Sequence, residues 1–425
     1  MEPEMGGDML ERFFADRAVA QRQRRGPLGP YLDSYAAMVG ALGYAPSTTR
    51  GQLWCLGELG RWLERRAISV ADLDERVVET FLTERRRRRG GLRRSDTSAC
   101  RLFLECLRSE GIIAPRQTRC TESALDGLTR RYETYLKRER GLQQATVDGY
   151  RPFVHRLLVE RFRDEPLRLE ILDPSDISSF VQRHAHSMSP KRAQLMVSAL
   201  RSFFRFLLQQ GEIATDLAAC VPAVADWRLS TVPKYLAAEE VERLLASCDQ
   251  RTRSGRRDHA ILLLLARLGL RASEVVALEL DDMDWRGGEI AVRGKGQRHD
   301  RLPLLQEVGE ALASYLRQDR PRGSTRRVFV RTRAPIRGFA GPQAISTIVR
   351  RALQRADLKA PAKGVAAHLL RHSLATGMLR RGASMTEIAE VLRHRTLSTT
   401  EIYAKVDIAG LRSLAQPWPG SGGER

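Results

Sequence analysis

Apolar residues recur at helical spacing through most of the chain. Leu200, Phe203, Phe204 and Leu207 lie three and four positions apart, so they share one face of a helix and predict an amphipathic segment laid on a core. Ile388, Val391 and Leu392 do the same near the C-terminus. The apolar run Ala260 to Ala266 is far short of the roughly 20 residues that span a bilayer, and its length predicts a core helix. A period of two takes over in EIAVRGKGQRHDRLPL, with Ile290 and Val292 on one strand, Leu302 and Leu304 on the other, and Gly294 to Gln297 at the turn. The pattern predicts a mainly α protein with a small antiparallel β-sheet near its C-terminal end.

The first half repeats itself. Thr48 aligns with Thr146, Phe81 with Phe180 and Gly111 with Gly211, a spacing of 98 to 100 residues. Helix-start signals stand at Ser69 in one copy and at Asp173 or Ser175 in the other. That period is far too long for a solenoid, so it predicts a duplicated module of four to five helices. Between Thr215 and Pro233 periodicity fades around Pro222 and Pro233, as in an extended linker. A new domain begins near Leu236, with the helices AAEEVERLLASCD and GRRDHAILLLLARLGL, the second capped at Gly269. The expected organisation is a flexible segment 1–26, helical modules 27–116 and 123–215, a linker 216–235, a C-terminal domain 236–413 and a tail 414–425.

Charge adds a partner to this outline. The 425 residues carry a formal net charge of +20 and a pI near 10.4, spread along the whole length, which predicts a long polyanion and points to nucleic acid. GC-rich codon usage explains why only seven of the 71 basic residues are lysine, but not the excess of positive charge. No membrane partner is expected. The N-terminus MEPEMGGDML has no apolar core of a secretory signal, and the expected location is the cytoplasm. The cysteines at 55, 100, 106, 120, 220 and 248 form no CxxC pair and lack histidines at zinc spacing, so reduced buried thiols are expected and no metal or cofactor.

The run Arg85, Arg86, Arg87, Arg88 and Arg89, with Arg93 and Arg94, is either a solvated helix face or a phosphate-binding surface. Neighbouring hydroxyls at Ser95, Thr97 and Ser98 favour phosphate. Lys191, Arg192 and Arg201 occupy the matching helix in the second module. Lys295 sits at a hairpin tip, where most lysines simply face water, and GKG lacks the other glycines and the helix of a nucleotide loop.

The densest chemistry lies in HLLRHSLATGMLRRGASMTEIAEVLRHRTLSTTEIY, His368 to Tyr403. His368 and Arg371 are three apart and share a helix face, and His394 and Tyr403 follow the next apolar-periodic helix. Two histidines, an arginine and a phenol can act together on a phosphodiester without metal or ATP. Each alone has a plainer reading, a packed aromatic or a structural histidine, as Tyr132, Tyr150 and Tyr315 are read.

Taken together, LARLGLRASEVVALELDDMDW, RGKGQRHDRLPL and the His368–Tyr403 segment resemble the tyrosine recombinases of the phage integrase family, most closely its Xer branch. The resemblance covers about 236 to 413 and implies a catalytic domain of that fold, with the second module as a core-binding domain. Two departures stand out: the first module is a second copy where one is usual, and Arg393 stands where the glycine of LGH is common. The implied catalytic set is Arg271, Lys295, His368, Arg371, His394 and Tyr403. Arg271 and Arg371 would clamp phosphate oxygens and His394 would donate to them, with Glu274 orienting Arg271. His368 would position the site or take the proton of Tyr403, the nucleophile, and Lys295 would protonate the leaving 5′ oxygen. The implied partners are double-stranded DNA and a homo-tetramer on two sites, or a hetero-assembly with related recombinases. The tail DIAGLRSLAQPWPG, with Ile408, Leu411 and Leu414, either caps its own core or docks on a neighbouring protomer. A type IB topoisomerase and a DNA-binding accessory factor are the alternatives.

Overall fold

The structure, a computed structural model, describes residues 9–14, 16–115, 123–163, 166–225, 232–294, 299–321, 325–359, 366–406 and 412. The expected tail helix and Cys120 lie outside them. The chain forms two compact units, one of Gln117–Thr231 and one of Met1–Arg116 with Val232–Arg425.

The first module holds α1 (Arg17–Arg24), α2 (Leu32–Ala41), α3 (Pro46–Arg65), α4 (Glu75–Arg89) and α5 (Arg94–Ser109). The flexible segment expected over 1–26 is corrected here: Asp16 caps α1, and Leu10, Phe13, Phe14 and Ala20 are buried in the module's core. Those apolar side chains supply the burial that an unstructured arm lacks. Ser69 caps a short 3-10 turn, Val70–Asp72, while α4 starts one turn later under Asp74.

The arginine run is also revised. Phe81, Leu82 and Arg85 share the inward face of α4, so Arg85 is only 6% exposed. It pairs with Glu58 and places Nε 3.2 Å from Asp96, which excludes it from a phosphate-binding surface in this state. Arg86, Arg87, Arg88 and Arg89 are exposed, and Arg89 also pairs with Glu58.

The second module comprises α6 (Ala124–Arg138), α7 (Gln144–Phe162), α8 (Pro174–Ala185) and α9 (Pro190–Gln209). It repeats the order of the first: Phe81 and Phe180 are both buried, and Gly111 and Gly211 follow their helices at φ +71° and +70°. Asp173, not Ser175, caps α8, accepting from the N–H groups of Ser175 and Asp176. Part of the expected linker is not extended, because Leu217, Ala218 and Val221 join this core. Arg201 donates to the Val221 carbonyl at 2.9 Å and helps hold that segment down. Lys191 and Arg192 are exposed, the latter with its guanidinium 5.6 Å from the Phe153 ring centroid.

The C-terminal domain contains α10 (Ala238–Ala246), α11 (Arg253–Arg267), α12 (Ala272–Ala277), α13 (Gln306–Gln318), α14 (Pro342–Arg355), α15 (Ala366–Arg380) and α16 (Met385–Val391). A three-stranded antiparallel sheet in the order β1 (Met283–Asp284), β2 (Glu289–Arg293) and β3 (His299–Pro303) sits among them, with Ile290 opposite Leu302. Every residue from Ala260 to Ala266 is buried, which makes α11 the central helix of this core. On α16, Ile388 is buried and Val391 is exposed, while Leu392 just beyond it completes the inward stripe. Among the described residues no helix is long and apolar enough to cross a membrane, and no cluster of His, Cys, Asp and Glu could hold a metal.

Within the larger unit, a loop of the C-terminal domain meets the first module. Ile336 donates its N–H to the Leu42 carbonyl at 2.8 Å, and Gly43 follows at φ +76°. A Cβ on Gly43 would fall 2.5 Å from Ile336 Cγ1. Replacing Gly43 with alanine should therefore lower stability by about 1 kcal/mol or more, seen as a reduced thermal midpoint. An unchanged midpoint would mean that this contact does not form in solution.

Candidate active site

The site is assembled from the ends of α11, α15 and α16. Gly269 turns the chain at φ +59° after α11, and a Cβ there would lie 2.9 Å from Leu392 Cδ2 and 3.0 Å from Leu374 Cδ2. Glycine thus serves both the turn and the close approach. The next turn begins α12 with Arg271 as its N-cap, so Glu274 falls at the third helical position. From there its carboxylate reaches back, accepting the Arg271 N–H at 2.8 Å and the Arg271 Nη1 at 2.7 Å.

Arg371 reaches the same place from α15. Its guanidinium is buried and donates to the carbonyls of Gly269 and Leu392. Burial pulls it down to about 10, helped by the positive charge of Arg271, so it remains protonated at neutral pH. Arg393 follows α16 at φ +53°, a conformation that explains why a glycine is favoured there. Its Nη2 lies 2.7 Å from the second oxygen of Glu274, and its Nε is 3.8 Å from Asp300.

The charges do not balance. Arg271 and Arg393 share one buried carboxylate, and Arg371 adds a third guanidinium within electrostatic reach. Arg393 Nε and Nη1 are buried and make no hydrogen bond. Buried donors with excess positive charge specify an anion with several acceptor oxygens.

His394 Nδ1 lies 2.7 Å from Thr400 Oγ1, which fixes the ring. Burial, then Arg371 and Arg271, push His394 down to about 4, so it is neutral at physiological pH. Tyr403 lies on a 3-10 turn, Glu401–Val406, and is 1% exposed. Burial raises its phenol to about 12. Its ring is parallel to that of His394, with centroids 6.5 Å apart.

The structure therefore brings together Arg271, Glu274, Arg371, His394 and Tyr403. Lys295 lies outside the described residues, although the paired Arg293 and His299 bracket its turn. His368 is exposed, with its ring 6.3 Å from that of His372. His372 escaped the sequence reading. It faces the Tyr403 hydroxyl, with Nδ1 at 2.9 Å. The one available signal was its place beside Arg371 and four residues after His368, one helical turn along the same face.

A neutral, depressed His394 sets a pH dependence. Its folded value lies below its ordinary 6.5, so its contribution to stability is complete above about 6.5 and is lost as pH falls towards about 4. His394→Asn should flatten the thermal midpoint between those limits, and an unaltered pH profile would contradict a buried neutral ring.

Comparison with known proteins identifies the family. The phage integrase family pattern matches residues 234–409, and the phage integrase N-terminal SAM-like domain matches residues 129–211. A putative integrase/recombinase, y4rA of Sinorhizobium fredii, is 44% identical over 411 residues, 96% of this chain and 99% of that protein. That span includes most of the first module. Tyrosine recombinase XerD of Listeria innocua is 31% identical over 283 residues, covering 65% of this chain and 93% of its own length. The fold is shared with XerH site-specific recombinase bound to palindromic difH substrate in a post-cleavage complex, with a TM-score of 0.55, 20% identity, and coverage of 73% of this chain and 93% of that one. By sequence and by fold, this chain belongs to the phage integrase family of tyrosine recombinases.

Proposed function

We propose that this chain is a site-specific DNA recombinase that cleaves and rejoins double-stranded DNA through a covalent 3′-phosphotyrosine and a Holliday junction, serving integration, excision or transposition of a mobile element. The observation that carries this reading is the buried surplus of guanidinium charge beside Tyr403, with Arg393 donors left unmatched. A phosphodiester supplies what the cluster lacks, a negative charge and several acceptor oxygens.

In this reading Arg271 and Arg371 bind the non-bridging oxygens and stabilise the charge that builds on them. Guanidinium suits the task because it stays charged and can donate two parallel bonds. His394, neutral, donates through Nε2 while Nδ1 faces Thr400. Tyr403 attacks phosphorus and Lys295 protonates the leaving 5′ oxygen. The arginines supply the electrostatic stabilisation, so neither a metal ion nor ATP is required. The phosphotyrosine conserves the energy of the original bond, and a second 5′-hydroxyl reseals the strand. Two exchanges on two duplexes call for four protomers, either of this chain alone or together with related recombinases. XerH, held in a post-cleavage complex with its DNA, supports the DNA partner.

DNA backbone contacts fall to Arg86, Arg87 and Arg88 in the first module and to Lys191 and Arg192 in the second, all exposed. Arg85 is withdrawn from that set, as are Arg89, which pairs with Glu58, and Arg201, which is engaged by the Val221 carbonyl. Changing Arg86, Arg87 and Arg88 together to alanine should reduce the slope of log affinity against log salt by up to about 3, since each phosphate contact contributes about 0.9. An unchanged slope would assign that face to protein contact.

The reaction itself is tested by covalent trapping on a nicked suicide duplex carrying an element end, resolved on a denaturing gel. Wild type should form an adduct, with or without EDTA, and Tyr403→Phe should form none. Absence of any wild-type adduct on DNA that the protein binds specifically would favour an accessory role.

A further inference from the structure

The family reading gives the proton of Tyr403 to His368 or leaves it unassigned, yet the ring at the phenol belongs to another residue. His372 Nδ1 lies 2.9 Å from the Tyr403 hydroxyl, and the two rings meet edge to face with centroids 5.6 Å apart. A phenol raised to about 12 keeps its proton at neutral pH, and it donates to Nδ1 in the His372 tautomer protonated on Nε2. His368 stands one helical turn earlier, exposed, with its ring 6.3 Å from that of His372.

We propose that His372 is the base that takes the proton of Tyr403 as the phenol attacks DNA. This rests on Tyr403 being the nucleophile. In cleavage, Tyr403 Oη bonds to phosphorus, the bond from phosphorus to the 5′ oxygen breaks, and the phenolic proton passes to His372 Nδ1. The departing oxygen receives one proton from the acid of the site. In rejoining, a 5′-hydroxyl attacks phosphorus, its proton leaves by the reverse route, and the His372 imidazolium returns its proton to the phenolate.

Several features favour His372 for this step. It is already at hydrogen-bond distance from the atom that must lose its proton, the geometric condition for a general base. It is next to Arg371 on α15, so the same helix that grips the phosphate holds the base. His394, though its ring is parallel to that of Tyr403, has Nδ1 engaged by Thr400.

The test is the single-turnover rate of adduct formation on the nicked duplex for wild type, Tyr403→Phe, His372→Ala and His372→Gln, with DNA affinity and thermal midpoint measured alongside. His372→Ala should slow the step by about 10²- to 10⁴-fold with affinity unchanged, and added imidazole should restore part of the rate. His372→Gln, which can hold a hydrogen bond but not accept the proton, should remain slow. If glutamine restores the wild-type rate, His372 only positions the phenol. If alanine is as fast as wild type, or faster, the base role fails while Tyr403 keeps its own. If wild type yields no adduct at all, the nucleophile reading and this inference fall together.

Discussion

Holding two buried guanidinium groups, Arg371 and Arg393, beside the half-exposed Arg271 is the constraint on which the rest of the site depends. Ionised side chains are costly to bury unless they are paired and hydrogen-bonded, and like charges repel at short range. Glu274 answers part of this cost by dividing its two oxygens between Arg271 and Arg393. The carbonyls of Gly269 and Leu392 answer another part by accepting from Arg371. Each of these partners has a backbone requirement of its own: a left-handed turn at Gly269, a helix start at Arg271, and a left-handed cap at Arg393. The local geometry of three helix ends is therefore set by what the arginines need, and in the proposed function a phosphate offsets the remaining imbalance.

The same principle, applied at a surface, separates the two kinds of arginine in the first module. A run of five arginines on one helix cannot all point outward, because α4 turns about 100° per residue. Arg85 falls in line with Phe81 and Leu82 and is drawn into the core, where Glu58 and Asp96 neutralise it. Its role is to tie α4 to α3 and α5. Arg86, Arg87 and Arg88 keep their charge in water, where it contributes to long-range attraction for a polyanion.

Periodicity made the helical modules legible, and the duplication was visible because Phe81 and Phe180, Gly111 and Gly211 repeat at nearly constant spacing. Arg271, Glu274, Arg371, His394 and Tyr403 were legible as motifs, since residue type and order survive in one dimension, and the structure brings these five together, whereas Lys295 lies outside the described residues and His368 is exposed. Other features were not. The N-terminal helix hid behind an acidic, glycine-containing start, although LERFFADRAVA holds the apolar residues that bury it. Arg85 looked like its neighbours because charge runs do not reveal which member faces inward. His372 was hidden because its role comes from contact with Tyr403, 31 residues away, and no local spacing encodes that distance.

The burial of Tyr403 carries a consequence for how the site operates. In the proposed reaction the phenol, 1% exposed, meets a phosphodiester only after the turn Glu401–Val406 shifts, and its hydrogen bond to His372 has to persist through that shift for the proton to be transferred. The turn is held by the Tyr403–His372 hydrogen bond, by a single 3-10 segment with poorer hydrogen-bond geometry than an α-helix, and by a small apolar cluster of Ala375, Ile388, Leu392, Tyr403 and Val406. Thr400, fully buried at the start of the turn and hydrogen-bonded to His394, links that movement to the His394 ring. Displacing Tyr403 exposes an apolar ring while it brings an oxygen nucleophile to the guanidinium cluster. The first effect opposes the movement. In the proposed reaction the second favours it only when a phosphate is present, because Arg371 and Arg271 would then bind the group that Tyr403 attacks. On that reading, the same burial that protects the phenol in free protein makes its release depend on DNA.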